Sequence, residues 1–101
     1  MDIRSVDLNL LVVFDAMVEH RSVTRAGEAL KLSQPAMSAA VARLRALFDD
    51  PLFVRAGAEM RPTPRATELS TPIRQVVRTI KAEILQRRFS ILPSASARSR
   101  W

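Results

Sequence analysis

The stretch "SVTRAGEALKLSQPAMSAAVARLRALF", residues 22–48, decides the fold. Ser22 is placed to cap a short helix whose inward face is Val23, Ala26 and Leu30. Gly27 inside that helix costs about 1 kcal/mol relative to alanine, and close approach of a neighbouring helix is the structural reason to keep it. After residues 31–33 a second helical run opens, with Ser33 as its cap and Pro35 in its first turn. A proline there removes an N–H that has no helical partner anyway, so it starts the helix and does not break it. A turn of about three residues between two helices is what a helix-turn-helix requires.

This second run, the third helix of the chain, has two different faces. With Met37 at zero and about 100° per residue, Val41, Leu44 and Phe48 gather around zero as the inward stripe. Pro35, Ser38, Ala39, Ala42 and Ala46 fall on the opposite side, with Gln34 and Arg45 on one flank and Arg43 on the other. Small side chains let a helix approach base edges closely, alanine methyls can pack on thymine methyls, and Gln34 can pair bidentately with adenine. Ser38 can bond a base or a phosphate, and the free N–H groups at residues 34–37 point at phosphate. The competing explanation is that alanine is the best helix former on any exposed face.

Upstream, "LNLLVVFDAMVEH" follows Asp7 and sets Leu10, Phe14, Met17 and Val18 on one stripe of an amphipathic helix. Downstream, Asp49, Asp50 and Pro51 stop the third helix. "LFVR" and "MRPT" then flank "AGAE", where Gly57 can supply the positive φ of a tight hairpin. Pro62 restricts the second strand to a short edge. Arg55 and Arg61, one on each strand, suit a wing laid along a backbone or in a minor groove. Thr24 and Arg25 open the second helix within reach of phosphate. Each arginine taken singly is equally well a solvated side chain.

Thr63 caps a last, long helix with Pro64 at its first position. The spacing predicts helix over 64–86, about 34 Å, with Pro72 costing the bond to the Glu68 carbonyl and kinking or splitting it. Its apolar positions Leu69, Ile73, Val76, Val77, Ile80 and Ile84 exceed what a small domain can cover. Part of that stripe is therefore expected to meet a second copy as a short helix pair. Such a dimer sets two recognition helices about 34 Å apart, one DNA turn. From Arg87 the periodicity is lost, and "RRFSILPSASARSRW" reads as a loose tail.

The chain has 101 residues, enough for one modest core. Residues 1–50 carry six basic and seven acidic side chains, residues 51–101 ten and three, so the net charge of +6 sits in the C-terminal half. Fourteen of the sixteen cations are arginine, whose planar fork pairs with phosphate and guanine. A polyanionic partner, nucleic acid above all, fits that excess; solubility alone is the plainer alternative. With no cysteine, one histidine (His20), no glycine-rich loop and no carboxylate cluster at ligand spacing, neither an enzyme nor a metal or cofactor site is expected. The acidic residues scattered through the apolar helices argue against a membrane-surface adaptor. The start "MDIRSVDLNLLVVFDAMVEH" lacks the layout of a signal peptide, and a cytoplasmic location fits the absence of cysteine.

In combination, "SV-T-RAGEAL", "LSQPAMS", "RLR-LF-D-LFVR" and "PTPRA" resemble the N-terminal domain of LysR-type transcriptional regulators, over about residues 6–88. The likeness is nearest to nodulation regulators and their aromatic-compound-responsive relatives. The resemblance implies a mainly α fold, a cytoplasmic, DNA-binding winged helix-turn-helix over 1–63, then a linker helix over 64–88 that forms a homodimer. It carries the contacts to double-stranded promoter DNA onto Thr24, Arg25, Ser33, Gln34, Pro35, Ser38, Arg55 and Arg61. Relatives commonly place a polar or basic residue just after the serine of "QPAMS"; here Ala39 and Ala40 stand there, which implies either weaker base reading at that point or methyl contacts in its place. Relatives also continue into a periplasmic-binding-protein-like domain; "RRF" (87–89) resembles its start, but "SILPSASARSRW" (90–101) does not resemble its first strand. The expectation is therefore a transcription regulator without an inducer-binding domain, unresponsive to a small-molecule inducer. The alternative is a non-sensing partner that forms mixed dimers with a full-length sibling through the linker helix.

Overall fold

Each helix begins on a side chain that satisfies its first free N–H groups. In the computed structural model, which describes residue 4 and residues 6–85, Asp7 accepts from the Asn9 N–H at 2.9 Å and opens α1 (Leu8–His20). Ser22 accepts from Arg25 N at 3.2 Å and opens α2 (Val23–Leu30). Ser33 accepts from Ala36 N at 3.2 Å and opens α3 (Gln34–Phe48), and Thr63 accepts from Ala66 N at 3.1 Å and opens α4 (Pro64–Thr79). Losing one such cap costs about 1 kcal/mol. The first three helices end on residues in the left-handed conformation, Arg21, Lys31 and Asp49, none of them glycine.

Between α3 and α4 lies a two-stranded antiparallel hairpin, β1 (Phe53–Ala56) and β2 (Glu59–Pro62), in register Phe53 to Pro62 and Ala56 to Glu59. Gly57 takes φ 65° at its tip, where no neighbour crowds it, so conformational freedom alone accounts for the glycine. Pro62 closes β2 at the hairpin's base, where the missing N–H is tolerated. The order of three helices, a hairpin and a long helix is a winged helix-turn-helix.

The core forms where α1 crosses α2, α3 and α4. Phe14, Met17, Met37, Leu44, Leu52 and Phe53 are fully buried in it. The Phe14 and Phe53 rings meet at 5.3 Å with planes 58° apart, a tilted contact that ties α1 to the wing. No polar or charged residue among those described is buried, so the core closes without a buried ion pair. Phe48, the last member of the inward stripe, is only half-buried at its edge.

Gly27 is buried where α2 meets α3. A Cβ there would lie 3.0 Å from Met37 Cγ and 3.1 Å from the Leu32 carbonyl, so the expected close approach of the neighbouring helix is what the structure shows.

Pro72 does not split the last helix. α4 runs through it to Thr79 and passes directly into a π-helical segment, Ile80–Leu85. Pro72 and Glu68 are both on the exposed side, where water can take the carbonyl that the missing N–H leaves free. The expected helix to residue 86 is thus α-helical only as far as Thr79, and the chain widens to i to i+5 bonding beyond it. Ala66, Ile73 and Val77 are buried against the domain. Arg74 on α4 lies 2.9 Å from Asp15 and 3.3 Å from Glu19 on α1, an ion-pair cluster that fixes where the long helix leaves the body. The side chain of Ile84, residues 86–88 of the expected linker and the expected tail 89–101 lie outside the described residues.

Candidate nucleic-acid interface

The first turn of α3 is built by Ser33. Its side chain takes the Ala36 N–H and its carbonyl takes the Met37 N–H at 2.9 Å, while Pro35 has no N–H to give. The expectation of several free amides over 34–37 is therefore corrected: the cap consumes them and leaves only the Gln34 N–H. What this end of the helix offers a ligand is side chains. Gln34, Pro35, Ser38, Ala39, Ala42, Arg43 and Ala46 are all exposed, and Met37, Val41 and Leu44 are buried beneath them. Ala40 is half-buried and packs on the core, so of the two alanines after Ser38 only Ala39 lies on the open face.

Thr24 and Arg25 are exposed in the first turn of α2. Thr24 and Gln34 line one shallow notch of about 140 Å³ between α2 and α3, floored by Gly27 and Met37. A cofactor or small-molecule site is larger, roughly 300–1,000 Å³. The notch is a dimple in the helix-turn-helix surface that brings Thr24 and Gln34 to one place.

The wing separates its two arginines. Val54 pairs with Arg61 and Arg55 with Met60, and partners across a hairpin share a face. Arg61 therefore stands with exposed Val54 on one face, and Arg55 lies on the face that carries half-buried Met60 and buried Phe53. Both arginines are exposed, yet they do not form one patch. Among the described residues neither they nor Arg25 pairs with a carboxylate, whereas Arg74 is committed to Asp15 and Glu19, and Arg43 sits 4.0 Å from Asp7.

The base of the wing holds features that reading the sequence missed. Asp50 Oδ2 accepts from the Leu52 N–H at 2.8 Å and from the Thr63 hydroxyl at 2.7 Å, so it joins the two ends of the hairpin. Leu52 itself takes φ 62°, a costly conformation for a branched residue. Around it the Phe53 N–H reaches back to the Pro51 carbonyl at 2.6 Å, a tight three-residue turn that drives the Leu52 side chain into the core. Arg45, placed by the helical wheel on a flank of the open face, bonds the wing. The "DP" pair at 50–51 was the available signal, because aspartate commonly accepts from the N–H two residues on.

The Thr63 hydroxyl, and then the Leu52 N–H, hold the Asp50 carboxyl below its ordinary value; the Arg65 charge adds to this and partial desolvation opposes it. A pKa lowered by folding contributes stability that is present above the unfolded value of about 3.9 and lost as pH falls through the folded one. In an acid titration followed by amide shifts, Leu52 and Thr63 should hold their positions to below that unfolded value. Asp50→Asn should abolish this acid step; a wing that loosens at the same pH in both chains would contradict it.

Among the described residues no three His, Cys, Asp or Glu side chains are grouped to hold a metal ion. His20 sits at the end of α1, half-buried, 3.8 Å from its neighbour Glu19. No helix among the described residues is long and apolar enough to cross a membrane.

Known proteins share this architecture. Residues 8–67 match the model of the bacterial regulatory helix-turn-helix proteins of the lysR family. The chain is 49% identical over 87 residues to nodulation protein D 2 of Bradyrhizobium sp. (strain NC92), covering 86% of this chain and 26% of that protein. It is 49% identical over 82 residues to the transcriptional regulator LeuO of Escherichia coli (strain K12), covering 81% of this chain and 26% of LeuO. Among solved structures, the probable transcriptional regulator PA0477 from Pseudomonas aeruginosa aligns with a TM-score of 0.78 at 43% identity, over 81% of this chain and 28% of that one. The DNA-binding domain of BenM aligns with a TM-score of 0.72 at 22% identity, over 82% of this chain and 96% of that one, and bears on the fold alone. The chain thus spans about a quarter of the length of its curated relatives. With the helix-turn-helix, the wing and the family model in agreement, the chain belongs to the LysR family of bacterial regulatory helix-turn-helix proteins.

Proposed function

We propose that the chain binds double-stranded DNA in a sequence-selective manner and regulates transcription in the cytoplasm, with α3 in the major groove and the wing on the flanking backbone or minor groove. The observation that carries this reading is the open face of α3. Gln34 and Ser38 lead a surface of small side chains, flanked by arginines at 25, 55 and 61 with no acidic partner among the described residues. Small residues allow close approach, the amide and hydroxyl supply base-edge hydrogen bonds, and the arginines supply phosphate contacts. A winged helix-turn-helix of the same fold, the BenM domain, is seen on DNA.

A homodimer through α4 belongs to the same proposal, in narrower form than the apolar stripe suggested. Ile73 and Val77 are occupied by the domain's own core. Val76 is 43% exposed, and Leu69 and Ile80 are half-buried, so among the described side chains of the stripe these three have surface left for a second copy. Two recognition helices held in this way would meet half-sites about 34 Å apart.

The experiment is selection of bound fragments from random duplex DNA, then titration of the recovered site across salt concentrations. With roughly six phosphate contacts, log affinity should fall with log salt at a slope of about −5. Gln34→Ala should cost about 1–3 kcal/mol at one base position and relax preference there. Arg61→Ala should weaken every sequence alike and reduce the slope by about one. A recovered site bound equally well by wild type and both variants would sink this assignment of roles.

A further inference from the structure

Arg45 lies on α3, beside the face proposed to enter the groove, yet its guanidinium is turned to the wing. Its Nε donates to the Pro51 carbonyl at 2.8 Å and its Nη2 to the Phe53 carbonyl at 2.9 Å. One planar fork thereby grips the carbonyls on either side of Leu52, the residue whose positive φ turns the chain from α3 into β1. The main chain of Arg45 takes part as well, since its carbonyl accepts from the Asp50 N–H at 3.2 Å. On the far side of the same turn the Thr63 N–H donates to the Leu52 carbonyl at 2.8 Å, so the carbonyls of 51, 52 and 53 are all engaged.

We infer that Arg45 is a wing-positioning residue for DNA binding: its two-carbonyl grip sets the hairpin relative to α3, and so decides whether Arg55 and Arg61 reach phosphate when α3 is seated. The inference rests on the proposed DNA-binding function. Its mechanism differs from that of a phosphate contact in one respect. A phosphate contact needs only the positive charge, whereas the grip on two carbonyls needs the rigid fork, which lysine lacks.

Arg45→Lys separates the two. Hydrogen exchange of the full chain, read over residues 52–63, tests the grip without DNA. The variant should exchange its Met60 and Thr63 amides on the order of tenfold faster, with α1 and α3 unchanged. The second arm uses a duplex recovered from a random pool by the wild-type chain. Arg61→Ala should weaken binding of that duplex by a smaller factor in the Arg45→Lys background than in the wild type, by roughly threefold or more. A general loss of stability would not produce that coupling, because it would leave the two effects multiplying independently. Unchanged exchange over the wing, or independent effects of Arg45 and Arg61 on affinity, overturns the proposal. Failure of the wild-type chain to recover any duplex overturns the DNA-binding reading itself, and with it this role; the two failures are told apart because the first leaves wild-type binding intact.

Discussion

Gly27→Val is expected to lower the melting temperature by roughly 10 °C and to weaken duplex binding even where the chain remains folded. The first atom added is already too close, 3.0 Å from Met37 Cγ and 3.1 Å from the Leu32 carbonyl. Methionine can yield, being unbranched and adaptable. The carbonyl cannot move without pulling on the turn over residues 31–33 that joins α2 to α3. Alanine at this position gains about 1 kcal/mol of helix propensity against that crowding, so its net effect should be small. Valine adds two further carbons with no such gain, and overpacking of this kind costs about 1–3 kcal/mol. Because the strain falls between the two helices of the motif, α3 should shift relative to Thr24 and Arg25. Thermal melting and duplex titration would check both parts. A valine variant as stable and as tightly bound as wild type would show that the α2–α3 contact has room for a branched side chain.

Phe14→Ala should be costlier still, about 3–5 kcal/mol. Phe14 is fully buried on α1 and meets the Phe53 ring of β1. Truncation removes transfer energy, leaves a cavity where α1 faces the rest of the core, and deletes the aromatic contact between body and wing. A domain of this size has only about 5–15 kcal/mol in all, so a large part of its stability depends on that ring. Chemical denaturation should show a lower midpoint at unchanged slope. Phe14→Leu should recover much of the loss, since it returns most of the volume; a loss as great as alanine's would mean that the ring contact dominates.

Local chemistry was legible in the sequence. The caps Ser22, Ser33 and Thr63, the proline at each of two helix starts and the glycine at the hairpin tip depend on residues within a few positions of one another, and each is found where its pattern placed it. The buried stripe Met37, Val41, Leu44 was equally plain, because periodicity names the face that must be covered. Periodicity does not say what covers it. Ile73 and Val77 looked available to a second copy and are buried in the chain's own core. Arg45 shows the same limit from the polar side: its partners are carbonyls presented by the turn at Leu52, and nothing in the spelling of residues 51–53 marks them as acceptors. The opposite faces of Arg55 and Arg61 follow from strand register, which the sequence left open until both strand ends were known.

The hairpin is moored on two sides: the Met60 N–H of β2 donates to the Arg21 carbonyl at the end of α1, and Arg45 grips the entrance to β1. In the proposed DNA-binding role, a hairpin tied to the helices in this way would act as a caliper of fixed opening. When helix and wing engage a duplex together, the misfit falls on the DNA, which must bend or alter its groove width to suit. The best sites for such a protein are then partly chosen by stiffness: easily kinked pyrimidine–purine steps between the contacted segments should be favoured although no side chain touches them.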